Sequence, residues 1–182
     1  MGRRFRHRFK YFAYIEDLQN LIQEYEIKKI CDIGCGDWAF SKLIDFQGSK
    51  YMGLDCVESV ISSNIEKYKS EDISFECQEI GEEYIPKGYD LIIIKDVIQH
   101  WTDSQIMTYL EPIILNNKYV YCVNGYKFMR DPSKNSLEKR NIDNRYMYHP
   151  VDIEKYPLNQ YEKYVRSKKE YHAKQYILFT SN

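Results

Sequence analysis

Residues 30–40 read Ile-Cys-Asp-Ile-Gly-Cys-Gly-Asp-Trp-Ala-Phe, so Gly34 and Gly36 stand between Asp32 and Asp37, directly after an apolar run. Glycine in such a place suggests a backbone that turns sharply and leaves room for a ligand. Gly34 to Ala39 fits the G-x-G-x-x-[G/A] spacing of a nucleotide-binding turn, a weak signal when it stands alone. It gains weight from its flanks. KKICDIG reads as a buried strand, AFSKLIDF as a short helix after the turn, and an acid, Asp55, arrives near the end of the next apolar run.

The same alternation continues outward. YIEDLQNLIQEYEI carries Ile15, Leu18, Leu21, Ile22 and Tyr25 on one helical stripe. KYMGLDCV is a second strand, VESVISSNIEKYKS a second helix and ISFECQEI a third strand. YDLIIIKDV is the strongest strand, an unbroken Leu/Ile run of the kind buried on both faces of a parallel sheet. DSQIMTYLEPIILNN follows as a helix with Asp103 as N-cap, and YVYCVNGY as a fifth strand. The segment 127–148 is polar and without period, which marks a functional loop or an insert. YEKYVRSKKEYHAKQYILFT reads as an antiparallel hairpin turning around SKKE. This order predicts an α/β, doubly wound sheet. With 182 residues and no internal repeat, one domain spanning 1–182 is expected, with a basic arm at 1–12 and a substrate loop at 125–150.

Composition narrows the class. No apolar run approaches the ~20 residues that cross a bilayer. MGRRFRHRFK lacks the apolar segment of a signal peptide, and Arg6 breaks the N-myristoylation pattern, so a cytoplasmic protein without membrane attachment is expected. Five cysteines, an odd number mostly inside apolar runs, point to a reduced interior rather than to disulfides. Cys31 and Cys35 have the wrong spacing for zinc, His7, His149 and His172 have no ligand spacing, and no metal is expected. Residues 1–10 carry five Lys/Arg and no acid, residues 11–124 a net charge of −11, and residues 125–182 a net of +5.

The aspartates around the glycine turn bear on the ligand. A pyrophosphate seeks bare amides at a helix N-terminus, and two adjacent carboxylates repel it. S-adenosylmethionine has no phosphate but carries a sulfonium and an ammonium. Asp32 can pair the ammonium, the amides of Gly34 and Gly36 can approach the methionyl backbone, and Asp55 can accept both ribose hydroxyls. Trp38 either walls that pocket or packs in the core.

DIGCGDWAFS resembles the first motif of class I S-adenosylmethionine-dependent methyltransferases, YMGLDCV their second and YDLIIIKDVIQHW their fourth-strand motif. The pairing of GCGDW with KDVIQHW is similar to a group of small bacterial-type members. The resemblance covers residues 29–124 and implies a Rossmann-like, seven-stranded sheet, mostly parallel with an antiparallel last strand. It also implies S-adenosylmethionine as cofactor, Asp55 as the ribose acid, and Gln78 or Glu79 in FECQEI at the adenine, where the family more often has Asp.

Methyl transfer is an in-line displacement that depends on proximity, and a hydroxyl acceptor also needs a base. If a helical turn starts in KDVIQHW, Asp96 and His100 share a face at i and i+4. Asp96 can then orient the imidazole while His100 takes the acceptor proton, and Lys95 can bind a substrate oxyanion. Each also has a plainer reading, as helix end, N-cap and exposed strand-end charge. Asn124 ends the fifth strand at the same edge as an acceptor contact, and Arg130, Arg140, Asn141, Asp143 and Arg145 lie in the loop that would close over the acceptor.

Three functions stay open. The first is O-methylation of a small anionic acceptor, such as a sugar or nucleotide-linked sugar. The second is methylation of RNA or protein, for which RRFRHRFKYF interleaves Arg with aromatics. The third is a non-catalytic protein that binds S-adenosylmethionine. The Asn/Asp-Pro-Pro-aromatic motif common in nitrogen methylation is replaced here by KDVIQHW.

Overall fold

The computed structural model describes residues 2–126 and 150–181, with side chains described from residue 12 onward. Helix α1 (Gly2–Glu24) leads into β1 (Lys29–Ile33), β2 (Lys50–Asp55), α2 (Glu58–Tyr68) and β3 (Ile73–Cys77). Then come β4 (Leu91–Lys95), α3 (Asp103–Leu115), β5 (Tyr119–Gly125), β6 (Val165–Tyr171) and β7 (Lys174–Phe179). One seven-stranded sheet has the order β3-β2-β1-β4-β5-β7-β6. Strands β1 to β5 pair in parallel, and β7 runs antiparallel to both β5 and β6.

Strand side chains alternate between two cores. Leu91, Ile93, Tyr121 and Val123 face α1 and α2, together with Leu18, Ile22 and Ile61. Ile92, Ile94, Val120 and Cys122 face α3, together with Ile106, Leu110 and Ile113. Cover on both faces is the reason β4 is apolar at four consecutive positions. Strand order reverses between β1 and β4, and a crevice outside the carboxyl ends of the strands at such a point is where these sheets bind ligands.

Four local expectations need correction. The basic segment expected as an arm is helical backbone, because α1 begins at Gly2. At its other end α1 stops with Glu26 at φ 50°, where Ile27 N–H donates to Ile22 C=O and Glu26 N–H to Gln23 C=O. No full helix follows the glycine turn, only a 3-10 turn at Ser41–Leu43. The chain there spends its residues turning Trp38, at φ 56°, inward onto Phe46, Tyr51, Tyr68 and Phe75. The N-cap of α3 is Thr102 rather than Asp103. Thr102 Oγ1 accepts from Gln105 N–H while Gln105 Oε1 accepts from Thr102 N–H, a reciprocal capping box. The terminal hairpin turns at His172 and Ala173, with His172 at φ 54°, and SKKE lies inside β6. Its lysines suit that place. Lys168 pairs with Glu154 and Lys169 with Asp17, and charged side chains protect an edge strand from pairing with another chain.

The turn after β1 is held tightly. Gly34 and Cys35 both donate to Leu54 C=O, at 2.8 and 3.0 Å. Gly34 has φ 70°, and a Cβ on it would run into the Val97 side chain. Gly48 has φ 75° with nothing within 4 Å of an added Cβ. Gly48→Ala should therefore cost only the backbone strain, about 1–2 kcal/mol. Gly34→Ala should cost a further ~1–3 kcal/mol of overpacking, and Val97→Ala should recover part of that loss. Urea midpoints check this, and equal losses at the two glycines would contradict it.

Asp32 points to the α1 side, is 4% exposed, and accepts from Tyr51 Oη at 2.6 Å and Ser41 Oγ at 3.5 Å. Burial pushes its carboxyl up to about 6, against the lowering effects of Tyr51, Lys95 and Ser41. The folded state thus holds this proton more tightly than the unfolded chain, whose Asp titrates near about 3.9. The stabilisation is complete below about pH 4 and is lost as pH rises through about 6, a change of about 3 kcal/mol. Asp32→Asn does not titrate, so its stability relative to wild type should improve by about that amount between pH 4 and 7. A pH-independent difference in urea unfolding would contradict the assignment.

Candidate active site

The carboxyl ends of β1, β2, β3 and β4 enclose a cleft of about 300 Å³. Ile33 and Gly34 form its floor, Asp55 and Cys56 one wall, and Gln78, Glu79 and Ile80 continue that wall. Asp96, Val97, His100 and Trp101 come from the segment after β4, and Gln105 from α3. Apolar walls with a few converging polar groups suit a small-molecule ligand.

Asp55 is anchored through both of its carboxylate oxygens. Its Oδ2 accepts from Gly36 N–H and its Oδ1 from Val57 N–H, each at 3.0 Å. Both oxygens are thereby fixed, and each retains a lone pair for an outside donor. Asn64 of α2, 2% exposed, locks the same turn by donating Nδ2 to Gly36 C=O at 2.7 Å. Gln78 N–H donates to Asp55 C=O, so the segment after β3 is registered on the end of β2. The Gln78 side chain donates to Glu79 C=O. A ligand with a diol and a flat heterocycle can lie here, its diol on Asp55 and its ring among Ile33, Ile80 and Val97.

The segment after β4 departs from the expected pairing. Residues 98–100 form a 3-10 turn rather than the start of an α-helix. Asp96 adopts φ 61°, and its carboxylate is engaged by Lys95 Nζ at 2.9 Å and by Lys174 Nζ, whose distance to Oδ1 is 2.6 Å. Burial raises the Asp96 pKa, but Lys95 and Lys174 outweigh it and hold the carboxyl below the usual range. Asp96 therefore serves the two lysines instead of orienting His100. His100 Nε2 lies 3.5 Å from Gln99 Nε2, and its buried Nδ1 has no partner among the described residues. Lys95 Nζ sits over the rings of Tyr14 and Phe40.

Among the expected site residues, Gly34, Asp55, Gln78, Glu79, Asp96 and His100 line one cleft. Gly36 acts through its backbone, on Asp55 and Asn64. Asp32 does not reach the cleft, because its strand position turns it into the α1-side core, where Tyr51 and Ser41 take its oxygens. Trp38 is packed in the aromatic core, 7% exposed, and is not on the cleft wall. Asp37 Oδ1 accepts from Ala39 N–H within the turn. Asn124 is 3% exposed and donates to Cys122 Sγ, away from the cleft lining. Arg130, Arg140, Asn141, Asp143 and Arg145 lie outside the described residues.

Sequence reasoning missed Asn64, Gln105 and Lys174. Asn64 sits mid-helix with no local signal. Gln105 was legible as the N3 partner of a Thr102 capping box. Lys174 meets Asp96 only because β5 carries β7 in antiparallel register, with Gly125 opposite Lys174.

The family described as a methyltransferase domain matches residues 26–171. No curated protein sequence matches the chain. Similar solved structures include the methyltransferase domain of bacterial CtHen1, with 19% identity over 92% of this chain and 96% of that one, at a TM-score of 0.65. Magnesium protoporphyrin IX methyltransferase from Synechocystis PCC 6803, with S-adenosylhomocysteine bound, is 12% identical over 93% of this chain and 83% of that one, TM-score 0.65. The mitomycin 7-O-methyltransferase MmcR is 16% identical over 86% of this chain and 50% of that one, TM-score 0.64. At these identities the structural likeness speaks for the fold, and the family match for the activity. The chain belongs to the methyltransferase-domain family and is an enzyme.

Proposed function

We propose that this enzyme methylates an oxygen of a small anionic acceptor, such as a sugar or a nucleotide-linked sugar. The observation that carries the reading is that His100 lines the same cleft as the anchored Asp55 carboxylate, the proposed seat of S-adenosylmethionine. A proton acceptor beside a nucleoside seat is what alkylation of a hydroxyl requires.

In this reading Asp55 accepts the ribose hydroxyls, Gln78 and Glu79 meet the adenine edge, and the turn at Gly34 and Gly36 leaves room for the methionyl part. The acceptor oxygen forms a bond to the methyl carbon as the carbon–sulfur bond breaks. The electron pair of that bond stays on sulfur, leaving S-adenosylhomocysteine, and the hydroxyl proton passes to His100. Asp96 tunes Lys95 and Lys174 rather than the imidazole. Magnesium protoporphyrin IX methyltransferase and mitomycin 7-O-methyltransferase, which share the architecture, are named for small-molecule acceptors.

RNA is the second reading, supported by the five Lys/Arg in residues 1–10, which α1 carries over successive turns. A release assay for S-adenosylhomocysteine across nucleotide sugars, free sugars and RNA tests the assignment. Turnover is expected with an acidic sugar or nucleotide sugar, and turnover with RNA alone would overturn the ranking. On the active acceptor, His100→Ala should lower kcat by about 10²–10⁴-fold with cofactor affinity near wild type. Unchanged turnover in that variant would make His100 structural and leave transfer to proximity.

A further inference from the structure

We infer that Lys95 and Lys174 form the seat for the acceptor's oxyanion, a seat that the Asp96 carboxylate shares. The inference rests on the reading of the cleft as a methyl-transfer site, and it names the group on the acceptor that the site recognises. Lys95 ends β4 and Lys174 begins β7, with β5 between them, where Lys95 is opposite Val123 and Lys174 opposite Gly125. Across that strand both ammonium groups converge on one carboxylate, and that carboxylate stands on the cleft wall beside Gly34 and Val97.

Three features make this more than a surface ion pair. The groups are partly enclosed, with side-chain exposures of 22% for Lys95, 34% for Lys174 and 31% for Asp96. Lys95 Nζ is held 5.6 Å from the Tyr14 ring centre and 5.7 Å from that of Phe40, so its position is set before any ligand arrives. Asp96 occupies the left-handed region at φ 61°, a conformation that is costly outside glycine and that gathers at ligand clamps. Asp32 also acts on Lys95 through space, but its oxygens face Tyr51 and Ser41. Each ammonium has three N–H donors, and a carboxylate already fits between the two. An acceptor oxyanion can therefore take the same donors. A lysine ammonium acts as a compact point charge without the planar fork of arginine, so either a diphosphate or a sugar carboxylate satisfies it.

The full chain, saturated with S-adenosylhomocysteine, is titrated calorimetrically with UDP-glucose, glucuronate and glucose. Binding of UDP-glucose or of glucuronate, with none of glucose, is expected, and the two acids separate a diphosphate from a carboxylate as the source of the charge. Lys174→Gln should weaken that binding by about 10–100-fold, whereas Lys174→Arg should retain most of it. Asp96→Asn removes the competing carboxylate and should tighten it, an outcome that a merely structural trio does not produce. Absence of binding by both acids, no effect of Lys174→Gln, or weaker binding by Asp96→Asn would overturn the seat. Retained S-adenosylhomocysteine affinity in those cases would leave the cofactor cleft standing. Failure of wild type to bind S-adenosylhomocysteine would instead remove the reading on which the seat depends.

Discussion

Asp55 receives two backbone N–H groups at once, from Gly36 before β2 and from Val57 after it, and this pair of hydrogen bonds joins two strand ends into one wall. The turn from β1 can reach Asp55 only because Gly34 and Gly36 take positive φ, at 70° and 57°. The position of Gly34 also has no room for a Cβ against Val97, which follows β4. Three strands thus meet at one small region of backbone, and the depth of the cleft follows from how closely they approach. Charge-assisted hydrogen bonds of this kind, partly shielded from water, hold a carboxylate in one orientation. An orientation fixed before binding spares the ligand the entropy of fixing it.

The acids near this turn show how environment sorts one residue type into different roles. Asp32 is buried and accepts from hydroxyls alone among the described residues, and its carboxyl rises to about 6. Asp96 also suffers burial, yet two lysines reverse the outcome and keep it ionised. One carboxylate has become part of the core under the turn, and the other a fixed charge on the wall of the cleft. Only Lys95, beside Asp96, is written in the immediate neighbours along the chain; Lys174, Tyr51 and Ser41 arrive through the fold.

Much of the architecture was legible in the residues. The two-sided apolar run at Leu91–Ile94, the strand–glycine–aspartate sequence around Gly34, and the acid at Asp55 carry local signals that the fold then uses directly. Where reading failed, a distant contact overrode a local preference. AFSKLIDF has helical periodicity, but turning Trp38 into the aromatic core leaves only one 3-10 turn. SKKE looks like a loop by polarity, but an edge strand tolerates the same polarity. The i, i+4 relation of Asp96 and His100 assumed α-helical geometry that a left-handed residue at 96 breaks. Lys174 became visible only once β7 was placed on β5.

The central claim is our proposal that the anchored Asp55 carboxylate seats the nucleoside of S-adenosylmethionine. Calorimetric titration of wild type and Asp55→Ala with S-adenosylhomocysteine, and of wild type with NAD, measures it directly. Wild type should bind S-adenosylhomocysteine and give no response to NAD, and Asp55→Ala should weaken the binding by about 1.5–3 kcal/mol, the worth of hydrogen bonds to a charged group. Equal affinity in the two proteins, or NAD binding with no response to S-adenosylhomocysteine, would contradict the account.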